Sequence, residues 1–349
     1  MTFYQELQLN QAGSKSLLKT CKTPKKTTSS FIYIFKVFIN VAFCVAFVTA
    51  YSMIFGNDNS IVGVVILLCI LVFRNVDLGI HAPLKPFVTL PAIFLILTFG
   101  PKAANLLGAF GGLLINFVCI WILMVLGCHN VIYYNHSTLV LGYLLLFGYD
   151  ASGSAYTMRL FAMLFGFILT GVVFWRNHRK KTYKRGLRDL FNEFNLHSSR
   201  SRWQLLMASA VSSVIFIASI LNLPRAMWAG IAAMSVLLPF RTDIKKHVCG
   251  RIPGNLLGGL IFFLIFPHLP AGLYSVVGIV GGIGVGFSAS YGWQAVFNSL
   301  GAMMIAVSVI GFPQAVFFRI AQNIFGSLYA LCFEKIFHTV TERKLESKI

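Results

Sequence analysis

Pro239-Phe240-Arg241-Thr242-Asp243 runs through Lys245 and Lys246 into Gly250-Arg251-Ile252-Pro253-Gly254-Asn255-Leu256-Leu257-Gly258-Gly259. It lies between two apolar segments. The first half of the chain carries an echo, Phe73-Arg74-Asn75-Val76-Asp77, followed by Lys85-Pro86 at the start of the next apolar run. Both copies set an arginine and an aspartate behind an unusually short hydrophobic segment, and both lead into a segment with Gly or Pro. A duplicated membrane protein accounts for the pattern.

Composition sets the solvent. Of 349 residues, 57% are hydrophobic and 11% charged, and the mean hydropathy is +0.77; an ordinary soluble domain is about 25% charged. The 33 Phe and 30 Gly fit lipid-facing surface and close helix packing. Spans of about 20 residues match a hydrocarbon core of about 30 Å. They are expected at 33–55, 61–73, 85–99, 104–126, 137–149 and 155–175, then at 204–222, 227–240, 248–266, 271–288, 293–310 and 315–338. The shortest of these are also open to a half-helix or re-entrant reading.

A second repeat signal supports the duplication. Arg159, Phe165 and Gly166 in the sixth segment recur as Arg319, Phe325 and Gly326 in the twelfth, at the same spacing. The expected fold class is therefore an all-α membrane protein of about twelve transmembrane helices, arranged as two parallel six-helix repeats joined by a basic cytoplasmic linker. Its parts are a basic N-terminal tail (1–32), the first repeat (33–175), the linker (176–203), the second repeat (204–338) and a C-terminal tail (339–349). The tail to residue 32 carries Lys15, Lys19, Lys22, Lys25 and Lys26 ahead of the first apolar run, unlike a cleaved secretory signal. It is expected to be retained and poorly ordered.

Charge then orients the chain. With both termini inside, lysine and arginine gather in the tails, the linker and the cytoplasmic loops, while the external loops hold Lys102 and Arg225. The net charge of +19 is read as a basic face on an anionic cytoplasmic leaflet. No aromatic-interleaved basic module suggests nucleic acid. In the linker, Leu187, Leu190, Phe191 and Phe194 recur at helical spacing and suit a short helix at the interface, read as a tether or alternatively as a partner site.

Enzyme chemistry finds little support. Cys21, Cys44, Cys69, Cys119, Cys128, Cys249 and Cys332 are scattered singly, so neither a disulfide framework nor a paired metal site is expected. The eight histidines are dispersed, and His81 and His247 read as solvated loop residues. Gly250, Gly254 and Gly258, and Gly278, Gly282 and Gly286, read as helix-packing faces rather than phosphate loops. No cofactor and no enzyme activity is expected.

What remains is charge at or near membrane depth: Lys36, Arg74, Asp77, Lys85, Arg159, Asp243, Arg251, Arg319 and Glu334. Such residues usually face a bundle interior or a water-filled path. Cations dominate, which favours an anionic substrate held by guanidinium groups. Arg74, Arg159, Arg241, Arg251 and Arg319 are the candidate path residues, with Asp77 and Asp243 as gating or proton-linked partners. The competing reading makes Arg159 and Arg319 snorkelling residues, and Arg74 and Arg241 anchors paired with those aspartates.

The run Met227-Trp228-Ala229-Gly230 through Pro239-Phe240-Arg241, then Gly250-Arg251-Ile252-Pro253-Gly254-Asn255-Leu256-Leu257-Gly258-Gly259, resembles the fusaric acid resistance protein-like (FUSC) family. That family is similar to the aromatic acid exporters and to plant aluminium-activated malate transporters. The resemblance covers about 205–335 well and 35–175 weakly; Lys85 stands in the first copy where Arg251 would align, and Asn255 replaces a usual Thr. It implies efflux of organic, often aromatic, acids, with a small organic anion as substrate. The basic N-terminus without an organelle signal suits a bacterial plasma membrane, the lack of a Walker-type loop leaves an ion or potential gradient as the expected drive, and a homo-oligomeric or accessory partner stays open. A passive anion channel and a non-transporting scaffold for envelope assembly are the alternatives.

Overall fold

Apolar runs in a bilayer leave the backbone only itself to bond with, so they fold as helices. The computed structural model describes residues 2–21, 23–74, 86–131, 134–180 and 187–346, and among them every regular element is helical. Two short helices, α1 (Phe3–Gln8) and α2 (Gln11–Thr20), precede α3 (Thr23–Phe55). Then come α4 (Ser60–Phe73), α5 (Pro86–Leu106), α6 (Gly108–Gly127), α7 (His136–Gly148), α8 (Gly153–His178) and the brief α9 (Leu187–Asn192). The second half follows as α10 (Ser199–Ile220), α11 (Met227–Val236), α12 (Arg241–Ile265), α13 (Tyr274–Phe287), α14 (Tyr291–Ile310) and α15 (Phe312–Glu346).

Each of the twelve expected apolar segments coincides with a helix. Among the described residues, eight helices, α3, α5, α6, α8, α10, α12, α14 and α15, are long and apolar enough to cross a membrane. The apolar helices α4, α7, α11 and α13 are shorter. At about 1.5 Å per residue, α4 reaches ~21 Å and α11 ~15 Å, well under a hydrocarbon core. Three expectations need correction. The third segment does not stop at residue 99 but continues through Pro101 to Leu106, and 271–288 rather than 85–99 belongs with the short helices. The second segment of the second half ends at Val236, and α12 begins at Arg241.

The N-terminal stretch is helical rather than poorly ordered. Thr2 and Gln5 close a capping box on α1, and the Asn10 side chain accepts from Gly13 N to start α2. Buried Lys36 on α3 then donates to Leu9 O at 3.0 Å and Ser14 Oγ at 2.7 Å. At the other end, α15 carries the chain to Glu346, through most of the expected tail.

The chain divides into two compact units, each drawing on both sequence halves: Met1–Ala46 with Lys246–Ile324, and Phe47–Lys245 with Phe325–Ile349. In the first, Phe262, Phe266, Leu300, Met303 and Val316 form a core shared by α12, α14 and α15. There α3 packs on α13, where Tyr33 OH donates to Gly286 O at 3.2 Å and the Tyr33 ring meets Phe287 edge-on at 5.4 Å.

In the second unit, short α4 is buried through Val62, Val65, Ile66, Cys69 and Phe73. Helices that end inside protein leave carbonyls needing donors, and side chains supply them. Trp203 Nε1 donates to Leu237 O at the end of α11 over 2.9 Å, and Arg225 Nη1 to Gly148 O at the end of α7 over 2.9 Å. Gln204 Nε2 donates to Met124 O and Cys128 O at the end of α6. Past α9, the Phe194 ring stands edge-on to Trp121 at 5.4 Å.

Candidate functional site

In the unit holding α12, α14 and α15, small residues let two backbones come close. A Cβ on Gly254 would meet Gly292 O at 2.5 Å, and one on Gly258 would meet Val296 O at 2.6 Å, so α12 lies directly against α14. This approach brings Tyr291, the first residue of α14, beside Arg251. Arg251 Nη1 donates to Tyr291 OH at 2.8 Å, and Nε donates to Asn323 Oδ1 on α15 at 3.1 Å. One turn along, Asn255 Nδ2 donates to Arg251 O and Asn255 Oδ1 accepts from Ser299 Oγ at 2.7 Å. The His247 ring stacks on Tyr291 at 4.1 Å.

Arg251 is only 7% exposed. It stands seven residues into the candidate span that begins at Ile244, a rise of ~10 Å along the helix. A guanidinium offers five N–H groups, and among the described residues two of them are engaged, both by neutral side chains. A desolvated cation with neutral partners keeps its field for an incoming anion, and its spare donors suit the two oxygens of a carboxylate.

The other expected path residues are distributed differently. Arg319, one turn from Asn323 on α15, is 5% exposed, and its carbonyl accepts from Asn323 Nδ2 at 2.7 Å. Asn323 therefore links both arginines of this unit. Arg159, 4% exposed in the other unit, donates from Nε to Asn59 Oδ1 at 3.1 Å and from Nη2 to Asp58 O at 3.4 Å. Arg74 caps α4 and is exposed. Asp77, Lys85 and His81 lie outside the described residues, as do the side chains of Arg241 and Asp243.

Glycines sort similarly. Gly250, Gly254 and Gly258 face α14, and Gly286 lies tight against Val37 of α3. Gly282 has room beside Val41, and among the described residues nothing stands within reach of a Cβ at Gly278. The α13 glycines that meet α14 are Gly281 and Gly284, both against Phe297.

Asn323, Tyr291, Ser299 and Asn59 are neutral, and a search for charge passes over them. Asn323 sits four residues after Arg319 inside the repeated Arg-Phe-Gly motif, which was the available signal. That motif's glycines do the same work in both halves. A Cβ on Gly166 of α8 would meet Ile66 of α4 at 2.2 Å, and one on Gly326 of α15 would meet Ala229 O of α11 at 2.3 Å. Thus α8 lies close against the short α4, and α15 against the short α11.

Residues 210–333 match the family described as fusaric acid resistance protein-like. Over that stretch the chain is similar to the family. The matched region holds Arg251, Asn255, Tyr291, Ser299, Arg319 and Asn323, the whole polar cluster of α12, α14 and α15. Together with the apolar helices, this fusaric acid resistance protein-like region marks a multi-pass membrane protein of transporter-related function. No curated protein and no solved structure matches the chain.

Proposed function

We propose that this protein exports an organic acid, aromatic acids included, across a bacterial plasma membrane, driven by an ion or potential gradient, with Arg251 as the residue that meets the anion. The observation that carries the reading is the buried Arg251 guanidinium on a helix long and apolar enough to cross a membrane, bonded among the described residues by the neutral Asn323 and Tyr291. A purely structural arginine on such a helix would be expected to be paired with a carboxylate or to satisfy backbone carbonyls. Arg319 shares Asn323 with it and acts as the second cation of the path. Arg241 and Asp243 stand at the start of α12 as an entry pair, with Arg74 and Asp77 in the matching place of the first half.

The proposed architecture is twelve spans in two parallel six-helix repeats, linked on the cytoplasmic side, with both termini inside. The repeated Gly166 and Gly326 contacts and the paired short helices α4 and α11 support it. So does the concentration of basic residues in the linker.

Flux in proteoliposomes tests the reading, with labelled organic and aromatic carboxylates and imposed proton or voltage gradients. Saturable accumulation against a gradient, lost in Arg251→Gln, is the expected result. Current that follows voltage without coupling would make the protein a channel, and no movement of any anion from folded protein would leave the scaffold.

A further inference from the structure

The close approach of α12 and α14 that seats Tyr291 beside Arg251 brings a histidine to the same place. His247 reads in sequence as a solvated loop residue, yet it stands in the second turn of α12 and is half-buried. Its ring lies flat on Tyr291, with 4.1 Å between centres and 13° between planes. The hydroxyl of that tyrosine accepts from Arg251 Nη1 at 2.8 Å. Tyr291 therefore touches both residues, and the helix period is the reason. His247 and Arg251 are four positions apart, one above the other on one face of α12, with ~6 Å of rise between them. Gly250 leaves room for the tyrosine beside them, since a Cβ there would meet Tyr291 Cδ1 at 3.4 Å.

A fixed cation and a titratable ring thus share one tyrosine. Arginine side chains keep their charge at physiological pH, whereas an imidazole changes charge between about pH 5 and 8. A flat stack on tyrosine suits either form of the ring, because an aromatic face attracts a cation. Protonation therefore adds charge without dismantling the contact. Other charged or titratable groups belong to the same end of α12 and its neighbours. On α12 itself, Asp243 comes one turn before His247, with its side chain outside the described residues, and the exposed Lys245 and Lys246 adjoin it. From α14 comes Tyr291; α15 contributes Asn323, bonded to Arg251, and carries Arg319 one turn from it. At the end of α13, α3 brings Tyr33, bonded to Gly286 O, and Lys36, which feels the charge of Glu6 on α1.

Two cations one turn apart repel each other, and an anion bound to both removes the repulsion. A protonated His247 therefore strengthens anion binding at Arg251, and by reciprocity a bound anion favours the protonated ring. Resting on the anion reading of Arg251, we infer that His247 is the positioning residue that makes this site proton-responsive. The imidazolium adds a cation for the acidic group of the substrate; the neutral imidazole leaves Arg251 alone with Asn323 and Tyr291. What binds is an organic anion together with a proton on His247. On the proposed topology α12 begins at the cytoplasmic face, so capture strengthens as the cytoplasm acidifies, the condition that accumulated acid creates.

Labelled p-toluenesulfonate is the probe, because a sulfonate stays ionised throughout and its own titration cannot imitate the effect. Equilibrium binding to the full chain in lipid nanodiscs should tighten by about fivefold or more between about pH 8 and 5.5, the lower end of ordinary coupling between two sites. His247→Gln, neutral throughout, should bind equally at the two pH values. His247→Arg keeps a cation that can stack on Tyr291; it should also bind equally at both, and more tightly than His247→Gln at the higher pH. If the ring only fills space, the pH dependence persists in His247→Gln, and that result overturns the inference. Should the glutamine variant not fold, the arginine variant decides, and pH dependence retained there overturns it too. Equal binding by the parent at both pH values, lost in Arg251→Gln, removes His247 and leaves the anion reading standing. No binding by the folded parent at any pH removes both.

Discussion

Asn323 Oδ1 accepts a hydrogen bond from Arg251 Nε at 3.1 Å, while the same side chain's Nδ2 donates to Arg319 O at 2.7 Å. One amide thus holds a guanidinium from α12 against the backbone of α15 without neutralising it. A carboxylate in that place would bind the cation more firmly and leave less of it for a substrate. On the transport reading proposed above, the neutrality of the acceptor is what leaves the charge of Arg251 for a substrate.

Asn323→Asp puts this to the test. A charged acceptor contributes about 1.5 to 3 kcal/mol where a neutral one contributes about 1, and an internal anion competes with the external one. The variant should melt at the same or a higher temperature in lipid nanodiscs, with anion flux down about tenfold or more. Asn323→Leu should lower both, since it strands buried donors. Full flux in Asn323→Asp would remove Arg251 from the path.

Arg159 should behave in the opposite way. Its bonds to Asn59 Oδ1 and Asp58 O tie the start of α8 to the turn that begins α4. Arg159→Met should cost about 2 kcal/mol of stability and reduce the folded yield, with flux per folded molecule within about twofold of the parent. Thermal unfolding monitored by size-exclusion chromatography, paired with flux normalised to folded protein, separates the two effects. Loss of flux at unchanged stability would place Arg159 in the path with Arg251.

The repeated glycines differ in what they touch. At Gly166 a new methyl would meet Ile66 Cδ1 and Cγ1, which can rotate away; at Gly326 it would meet Ala229 O, a fixed backbone atom. Gly326→Ala should therefore be the more damaging, by about 1 to 3 kcal/mol as overpacking usually costs, and Gly166→Ala the milder. Melting temperatures of the two variants, measured side by side, decide it. Equal losses would show that the difference between a side-chain and a backbone neighbour does not set the cost.

Hydropathy located every apolar helix because the bilayer makes that demand on sequence directly. It misjudged ends for identifiable reasons. Pro101 looks like a stop, yet a proline within a membrane helix is tolerated when neighbouring groups satisfy the freed backbone, so α5 runs on to Leu106. The start of α12 is polar from Arg241 to Lys246 and invisible to an apolar window, although it is helical. Charge pointed to Arg251 and Arg319, but not to Asn323 or Tyr291, whose importance lies in being neutral and close. Nor could charge tell that Arg159 is engaged by Asn59, since that contact joins residues a hundred positions apart.

The N-terminal helices were legible in principle, through Thr2 with Gln5 and through Asn10, but they are too polar to register as membrane segments. Their attachment depends on Lys36, whose ammonium reaches Leu9 O and Ser14 Oγ and lies 5.1 Å from the centre of the Tyr33 ring. Lys36→Leu removes the donors but keeps an apolar side chain at that place on α3. Losing about 2 kcal/mol of charged hydrogen bonding corresponds to roughly a thirtyfold rise in local opening. Amide exchange over residues 2–21 should accelerate by about that factor. The Tyr33 to Gly286 contact does not use the ammonium, so exchange in α12 to α14 should be unchanged. Unaltered exchange at the N-terminus would show that other contacts hold α1 and α2, and acceleration throughout Lys246–Ile324 would make Lys36 a support of that whole unit.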